Sequence, residues 1–134
     1  MYIQETPTSG GIRWSLYVNS RLIGWWPGSL FKNLQSNANR VDFGGEVSFN
    51  PRPSGSRFSR TEMGSGHFPS EGFRRSAKIW DIKITNDHGV PLNINARNAG
   101  SRPQCYSVSR VLQTLVGKYI FFGGPGGNNP NCVF

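Results

Sequence analysis

The stretch RWSLYVNSRLIGWW, residues 13–26, decides the fold class of this chain. Trp14, Leu16 and Val18 alternate with their neighbours, and this period of two is typical of a β-strand with one buried face. Asn19-Ser20 is a turn signal, and the apolar residues after it indicate a second strand. The sequence therefore predicts a β-hairpin.

The composition extends this prediction to the whole chain. The 134 residues suffice for a buried core, and they include 17 glycines and nine prolines, which interrupt long helices. Aromatic residues make up 13% of the chain and favour strands. We expect an all-β fold, an antiparallel β-sandwich or part of one, with at most one short helix capped by Ser29.

The sequence VDFGGEVSF, residues 41–49, predicts a strand with an apolar back and an acidic front. Its apolar side chains fall on one face, and Asp42 and Glu46 fall on the other. Gly44 and Gly45 leave the backbone bare beside Glu46, which would let an extended ligand approach closely. Glu46 is therefore the residue that we expect to carry chemistry.

Two later stretches predict further strands. Residues 77–84 alternate, so their apolar members are expected to share one face: Trp80, Ile82 and Ile84. Residues 119–122, YIFF, are apolar on both faces, which is typical of a strand that is buried on both sides. Residues 50–60 are rich in Pro, Ser, Gly and Arg and predict a loop.

The net charge of +8 raises the question of a nucleic-acid partner. Eleven of the fifteen basic residues are arginines, but they are scattered and only Arg74-Arg75 are adjacent. No aromatic–basic recognition module is present, so nucleic acid is not the expected partner. No apolar run reaches the length of about 18 residues that a membrane span needs, and residues 1–7 lack the features of a signal peptide.

Hydrolysis by carboxylates normally takes two acidic groups, one protonated and one ionised. Asp42 lies four residues from Glu46, about 13 Å away along a strand, which is too far for a pair that shares one water. The partner of Glu46 would have to come from another strand. The pattern leaves three candidates open: Glu62, Glu71 and Asp81.

The serine, histidine and cysteine residues give weaker indications of a catalytic or metal site. Ser65 and His67 could pair as nucleophile and base, but Gly64-Ser65-Gly66 is not a nucleophile elbow, and a turn with a hydrogen-bonding histidine is favoured. Cys105 and Cys132 could be free thiols or one disulfide. No zinc-ligand spacing is present, so we expect neither a metal nor a cofactor.

Several blocks in order resemble the C-terminal half of the neprosin family, plant glutamic endopeptidases that cleave after proline. They span nearly the whole chain: Ile23-Gly24-Trp25-Trp26-Pro27, Ser29-Leu30-Phe31, Phe43-Gly44-Gly45-Glu46-Val47, Met63-Gly64-Ser65-Gly66-His67-Phe68-Pro69, Glu71-Gly72-Phe73, Cys105-Tyr106 and Gly123-Gly124-Pro125-Gly126. The resemblance implies that residues 1–134 are the C-terminal half of a peptidase domain that hydrolyses proline-containing peptides at acid pH.

The resemblance also implies that Glu46 is one of two catalytic glutamates. The second would lie upstream, in a strand that this chain does not contain, so the chain alone is expected to be inactive. Glu62 stands where the family commonly has glutamine. Missing strands would leave unpaired edges, which favours self-association.

Cys105 and Cys132 match family cysteines, which implies a disulfide and a secreted protein although no signal peptide is seen. The alternative is a non-catalytic β-sandwich fragment, or pseudoenzyme, that binds peptide or cell-wall polymer. Its binding surface would use aromatic residues such as Trp14, Trp25 and Trp26, although core packing is the favoured use of at least two of them.

Overall fold

A computed structural model describes residues 1–48, 59–100 and 102–132 of the chain. These residues form two antiparallel β-sheets with three short 3-10 turns and no α-helix, so the predicted all-β class is confirmed. The chain divides into two compact units, 1–42 and 43–134, which are described separately. Within the described ranges, no helical segment is long and apolar enough to cross a bilayer.

The first unit is a three-stranded meander of β1 (Tyr2–Thr8), β2 (Gly11–Val18) and β3 (Arg21–Pro27), in that order across the sheet. The hairpin predicted between residues 13 and 26 is confirmed as the β2–β3 pair. Asn19 and Ser20 at its turn both have positive φ, 49° and 61°. Two such residues give the turn a twist that matches that of the flanking strands.

Strand β1 was not predicted from the sequence, because most of its side chains are exposed and show no clear alternation of burial. It forms because it pairs with β2: residues Tyr2 to Thr8 lie opposite Tyr17 to Gly11 in a continuous antiparallel register. The rings of Tyr2 and Tyr17 stack across the two strands with their centroids 4.6 Å apart. Cross-strand pairs of this kind stabilise an edge strand.

The helix predicted after Ser29 is wrong. Only a 3-10 turn, Gly28–Leu30, is present, and Pro27 precedes it without any side-chain cap. A Cβ on Gly28 would lie 2.7 Å from Cγ1 of Ile12, so the chain turns directly onto β2 at this position. That close approach requires glycine at the start of the turn.

The second unit is built around β7 (Gly117–Gly123). On one side β7 pairs with β4 (Ala77–Trp80), and on the other side with β5 (Ser107–Val108) and β6 (Leu112–Thr114), always antiparallel. Its neighbours Ile120 and Phe121 point to opposite faces and are only 4% and 5% exposed. The predicted strand that is buried on both sides is confirmed.

Strand β4 is shorter than predicted, because the regular pleat ends at Trp80. Asp81 adopts a left-handed conformation with φ of 55°, and its carboxylate pairs with Lys83 at 2.9 Å. The alternation of faces is broken there: Trp80 is 65% exposed, whereas Ile82 is 5% exposed. The prediction that these two residues share a face is therefore wrong.

The strand predicted over residues 41–49 is also wrong for the residues that are described, 41–48. Phe49 and most of the predicted loop at 50–60 lie outside the described residues. Gly44 has φ of +157°, and no strand of the described ranges pairs with the segment. Alternation in a sequence cannot make a strand without a partner for its backbone N–H and C=O groups.

A disulfide joins Cys105 to Cys132, with Cα atoms 4.9 Å apart and a sequence separation of 27. Both cysteines are buried, and the predicted bridge is confirmed. The N–H of Gly126 donates to the carbonyl of Cys105 at 3.2 Å, so the bridge fastens the C-terminal 3-10 turn (Gly126–Asn128) to the segment before β5.

Removing this bridge should lower the free energy of unfolding by about 3–4 kcal/mol, because the unfolded chain regains the freedom of a long loop. Urea denaturation with and without a reductant measures the loss. A Cys105→Ala/Cys132→Ala variant is the control and should not respond to reductant. Equal midpoints for the oxidised and reduced natural chain would contradict a stabilising role.

Candidate active site

Glu46 lies on an exposed segment that contacts the second sheet through a glycine. A Cβ on Gly45 would lie 2.7 Å from Cγ of Met63 and 2.9 Å from Cε2 of Phe122. The backbone therefore lies directly on these two side chains, and only glycine allows it. Glu46 itself is exposed, and it makes no hydrogen bond or ion pair with any described residue.

Met63 is fixed beside the end of β7. Its N–H donates to the carbonyl of Gly124 at 3.0 Å, and the N–H of Gly124 donates back to the Met63 carbonyl at 3.3 Å. A Cβ on Gly123 would lie 2.6 Å from the carbonyl oxygen of His67 and 2.9 Å from that of Met63. Glycine is thus required where β7 meets the segment 61–68.

Glu62 points away from the segment that carries Glu46. The side chain of Met63 covers Gly45, and successive residues of an extended chain point to opposite faces. The carboxylate of Glu62 instead lies against Gly66, where an added Cβ would approach its oxygens to 2.6 Å. The structure therefore does not bring Glu62 together with Glu46.

The other two sequence candidates are committed to ion pairs elsewhere. Glu71 contacts Nδ1 of His67 at 2.9 Å and Nε of Arg75 at 3.1 Å. Asp81 is paired with Lys83. None of the three carboxylates left open by the sequence contacts Glu46, so these residues do not form a catalytic pair with it in this structure.

The Ser65 and His67 side chains do not form a nucleophile–base pair. The hydroxyl of Ser65 donates to the carbonyl of Arg75 at 2.6 Å, while His67 is held by Glu71. The hydroxyl of Ser76 closes the same loop by donating to the carbonyl of Phe68. This arrangement agrees with the predicted turn that contains a hydrogen-bonding histidine.

Glu71 is the centre of this loop, and sequence reasoning had missed its structural role. It ends the 3-10 turn Pro69–Glu71, and its carboxylate accepts the N–H of Phe68 at 3.0 Å. The signal was present in the sequence, because proline at the first position of a turn and glutamate at the third are typical of a capped start.

The charges and hydrogen bonds of this loop act mainly on the carboxylate of Glu71. Partial desolvation raises the pKa of Glu71, but the N–H of Phe68, the hydrogen bond and charge of His67, and the charge of Arg75 together outweigh it. The net result is a pKa below the ordinary value of 4.5.

Tyr106 lies at the other end of the segment 61–68. Burial raises its pKa, and its hydroxyl donates to the carbonyl of Thr61 at 2.8 Å.

A separate open cavity of about 520 Å³ lies within the first unit. Its lining contains no carboxylate, and its larger polar or aromatic side chains are Arg13, Trp25 and Gln35. Nε of Arg13 is buried and makes no hydrogen bond with any residue that the structure describes. The residues that line this cavity therefore offer no acid–base pair for hydrolysis. In the described ranges no group of three or more His, Cys, Asp or Glu residues could hold a metal ion.

The family model named Neprosin matches residues 1–125, which is nearly the whole chain and includes the segment around Glu46. No solved structure matches the chain.

Stability in acid should depend on Glu71. Because its folded-state pKa is lowered, the ionised carboxylate stabilises the fold above about pH 4.5, and this stabilisation is lost as the pH falls through the folded-state pKa. Glu71→Gln should therefore lower the urea midpoint at pH 6, and the difference from the natural chain should shrink below pH 4.5. Glu46→Gln, in the same unit but without a partner, is the matched control. A constant difference at all pH values would contradict the prediction.

Proposed function

Because the chain belongs to the Neprosin family, we propose that it is part of a glutamic endopeptidase that hydrolyses peptide bonds after proline at acid pH. Glu46 is one of its two catalytic glutamates. The observation that carries this proposal is the position of Glu46, exposed and unpaired beside a glycine backbone that packs closely on the second sheet. An extended substrate could approach that backbone without meeting a side chain at Gly44 or Gly45.

The chemistry divides between two carboxyl groups. The ionised glutamate takes a proton from a water molecule, whose oxygen attacks the carbonyl carbon of the scissile bond. The protonated glutamate gives its proton to the leaving nitrogen as the C–N bond breaks. Two carboxyl groups that share a site stay half-protonated in acid, which agrees with an acid optimum. Glu46 fills one of these two roles.

The second glutamate is not supplied by the candidates within this chain. Glu62 lies against Gly66, and Glu71 and Asp81 are held in ion pairs. Turning either paired residue towards Glu46 would break contacts that order its own loop. We therefore propose that a residue outside these candidates completes the pair, and that residues 1–134 alone hydrolyse little or nothing.

The Cys105–Cys132 disulfide supports a place outside the cell, because cytosolic thiols are kept reduced. We propose secretion on this ground together with the family membership. Self-association is a further proposal: β1 and β3 are the outer strands of the first sheet and offer unpaired backbone groups to a second copy.

A binding module without catalysis is the second candidate function. Of the tryptophans proposed for it, Trp14 is half-buried and donates its Nε1–H to the carbonyl of Leu34 at 2.8 Å, so it belongs to the packing of the first unit. Trp25 and Trp26 are 53% and 43% exposed, and Trp25 lines the cavity. These two rings favour the binding of peptide or cell-wall polymer.

The first test of catalysis uses a protein that contains residues 1–134 together with the proposed second glutamate. In this protein, hydrolysis should depend on Glu46. We expect it to cleave a proline-containing fluorogenic peptide at about pH 3–5, and Glu46→Gln to lower kcat by a factor of about 10²–10⁴. Glu62→Gln, which restores the residue that the family commonly has, is the matched control and should keep activity. Full activity in Glu46→Gln would rule out its catalytic role.

The 134-residue chain gives the complementary test. The same peptide incubated with residues 1–134 at pH 3–5 should be cleaved no faster than with the Glu46→Gln chain. Mass spectrometry of the products locates any cut. Cleavage after proline that is lost in both Glu46→Gln and Glu62→Gln would show instead that Glu62 completes the pair within this chain.

A further inference from the structure

The cavity of the first unit contains an arginine without a partner among the described residues. Arg13 lines this cavity of about 520 Å³, and its Nε atom is buried. Within the described ranges, its guanidinium group makes no hydrogen bond and no ion pair. Burial removes part of the hydration of the charge, which is unfavourable unless an acceptor takes the place of the water. The unpaired guanidinium group therefore favours a ligand with a negative charge.

Neither acid of the first unit is placed to neutralise Arg13. The unit contains two carboxylate side chains, those of Glu5 and Asp42. Asp42 is paired with Arg40 at 3.0 Å. Glu5 lies opposite Trp14 in the sheet, and Trp14 points to the other face from its neighbour Arg13. Glu5 and Arg13 are therefore on opposite faces of the sheet, and the positive charge in the cavity is left for a ligand.

An indole ring lies on the same face of the sheet as this charge. Trp25 is paired with Ser15, which follows Arg13 by two residues and shares its face of β2. Two residues in this diagonal relation have Cα atoms about 7–8 Å apart, a distance that long side chains can bridge. Trp25 also lines the cavity, and it is 53% exposed. A ligand of the size of one ring can therefore contact the indole and the guanidinium group together.

The other lining residues leave room for such a ligand. A Cβ added to Gly10 or to Gly11 would meet no atom within 4 Å, so this side of the cavity is open. The side chains of Ser29 and Gln35 make no hydrogen bond with any described residue, and both can donate and accept. The volume lies within the range of about 300–1,000 Å³ that is usual for small-molecule sites.

The charge of the lining favours a carboxylate. Arg13 is the one cationic residue among the described residues that line the cavity, and a carboxylate carries the single negative charge that matches it. A phosphate monoester carries a charge of about −1.5 to −2 at neutral pH and would be only partly neutralised. The planar guanidinium group also fits the two oxygens of a carboxylate.

We propose that this cavity binds an organic acid whose carboxylate is attached to a ring. The carboxylate accepts hydrogen bonds from the guanidinium group of Arg13, and the ring packs on the indole of Trp25. Ser29 and Gln35 bind polar groups that the ring carries. Sugar acids and aromatic acids share this chemistry. The site goes beyond both candidate functions, because it needs neither hydrolysis at Glu46 nor a polymeric ligand.

The test is a titration of the 134-residue chain, followed by heteronuclear NMR of the tryptophan indole N–H groups at about pH 6, where carboxylic acids are ionised. Two pairs of probes differ mainly in charge: benzoate with benzamide, and methyl glucuronide with methyl glucoside. We expect a saturable shift of the Trp25 signal with at least one of the two acids, with a dissociation constant on the order of 1 mM. The neutral member of that pair should bind about tenfold more weakly or not at all, because it lacks the charge that Arg13 favours.

Two pairs of variants locate the site. Arg13→Gln should weaken binding of the acid about tenfold or more, whereas Arg21→Gln, which changes an arginine of the same unit outside the cavity lining, should leave it unchanged. Trp25→Ala should also weaken it, as followed by the backbone amide signal of Gly11. Trp26→Ala is the matched control, since this neighbouring ring is 43% exposed but points to the opposite face. The probe pairs keep the proposal testable in the natural chain even if Arg13→Gln does not fold.

The outcomes separate the two kinds of acid and the alternatives. Binding of the glucuronide alone would assign the cavity to sugar acids, and binding of benzoate alone would assign it to aromatic acids; either supports the proposal. Four results would overturn it: no saturable shift with either acid, equal affinity for the neutral member of each pair, unchanged binding in Arg13→Gln, and tighter binding of inorganic phosphate than of both acids. None of these results depends on Glu46, so a failure here leaves the peptidase proposal standing.

Discussion

The close backbone contact at Gly123-Gly124 is the constraint on which the second unit depends. At Gly123 the chain lies against the carbonyl groups of Met63 and His67, and at Gly124 it lies against the carbonyl of Cys105. A side chain at either position would push these segments apart. The contact therefore joins three features that are distant in sequence: the loop around His67, the disulfide, and the central strand β7.

This contact also organises the candidate site. The bridge between Met63 and Gly124 sets the direction of the Met63 side chain. The backbone of Gly45, the residue before Glu46, packs against that side chain. The catalytic candidate is thus positioned by packing of a bare backbone and not by a strand ladder. Such a support leaves the carboxylate of Glu46 without a partner among the described residues, whereas the structural acid Glu71 is surrounded by an amide, a histidine and an arginine.

The sequence predicted the elements that are decided locally. The β2–β3 hairpin follows from the turn at Asn19-Ser20, and β7 follows from an apolar run that is short and uninterrupted. The strand predicted at 41–49 is wrong over its described residues, 41–48, because strand formation needs a neighbour that alternation cannot supply. Ile82 was assigned to the wrong face because one left-handed residue, Asp81, reverses the alternation. The disulfide pairing came from family resemblance and not from spacing.

For the candidate site, the sequence identified Glu46 but could not choose its partner. Three carboxylates were equivalent in the sequence, since their ion pairs and the direction of each side chain depend on contacts between distant segments. The structure separates them by showing what each one already binds. It also shows which rings are exposed: Trp80, predicted to share a face with Ile82, is 65% exposed, whereas Ile82 is buried.

The Met63–Gly124 bridge has a consequence for how this chain can change length. The side chains of Glu62 and Met63 point in opposite directions, so one residue inserted or deleted just before the bridge would exchange these directions. The carboxylate would then be forced onto Phe122 and the methionine into water. The segment 61–64 must therefore keep its length, whereas residues 93–100 have no regular secondary structure and no comparable constraint of direction.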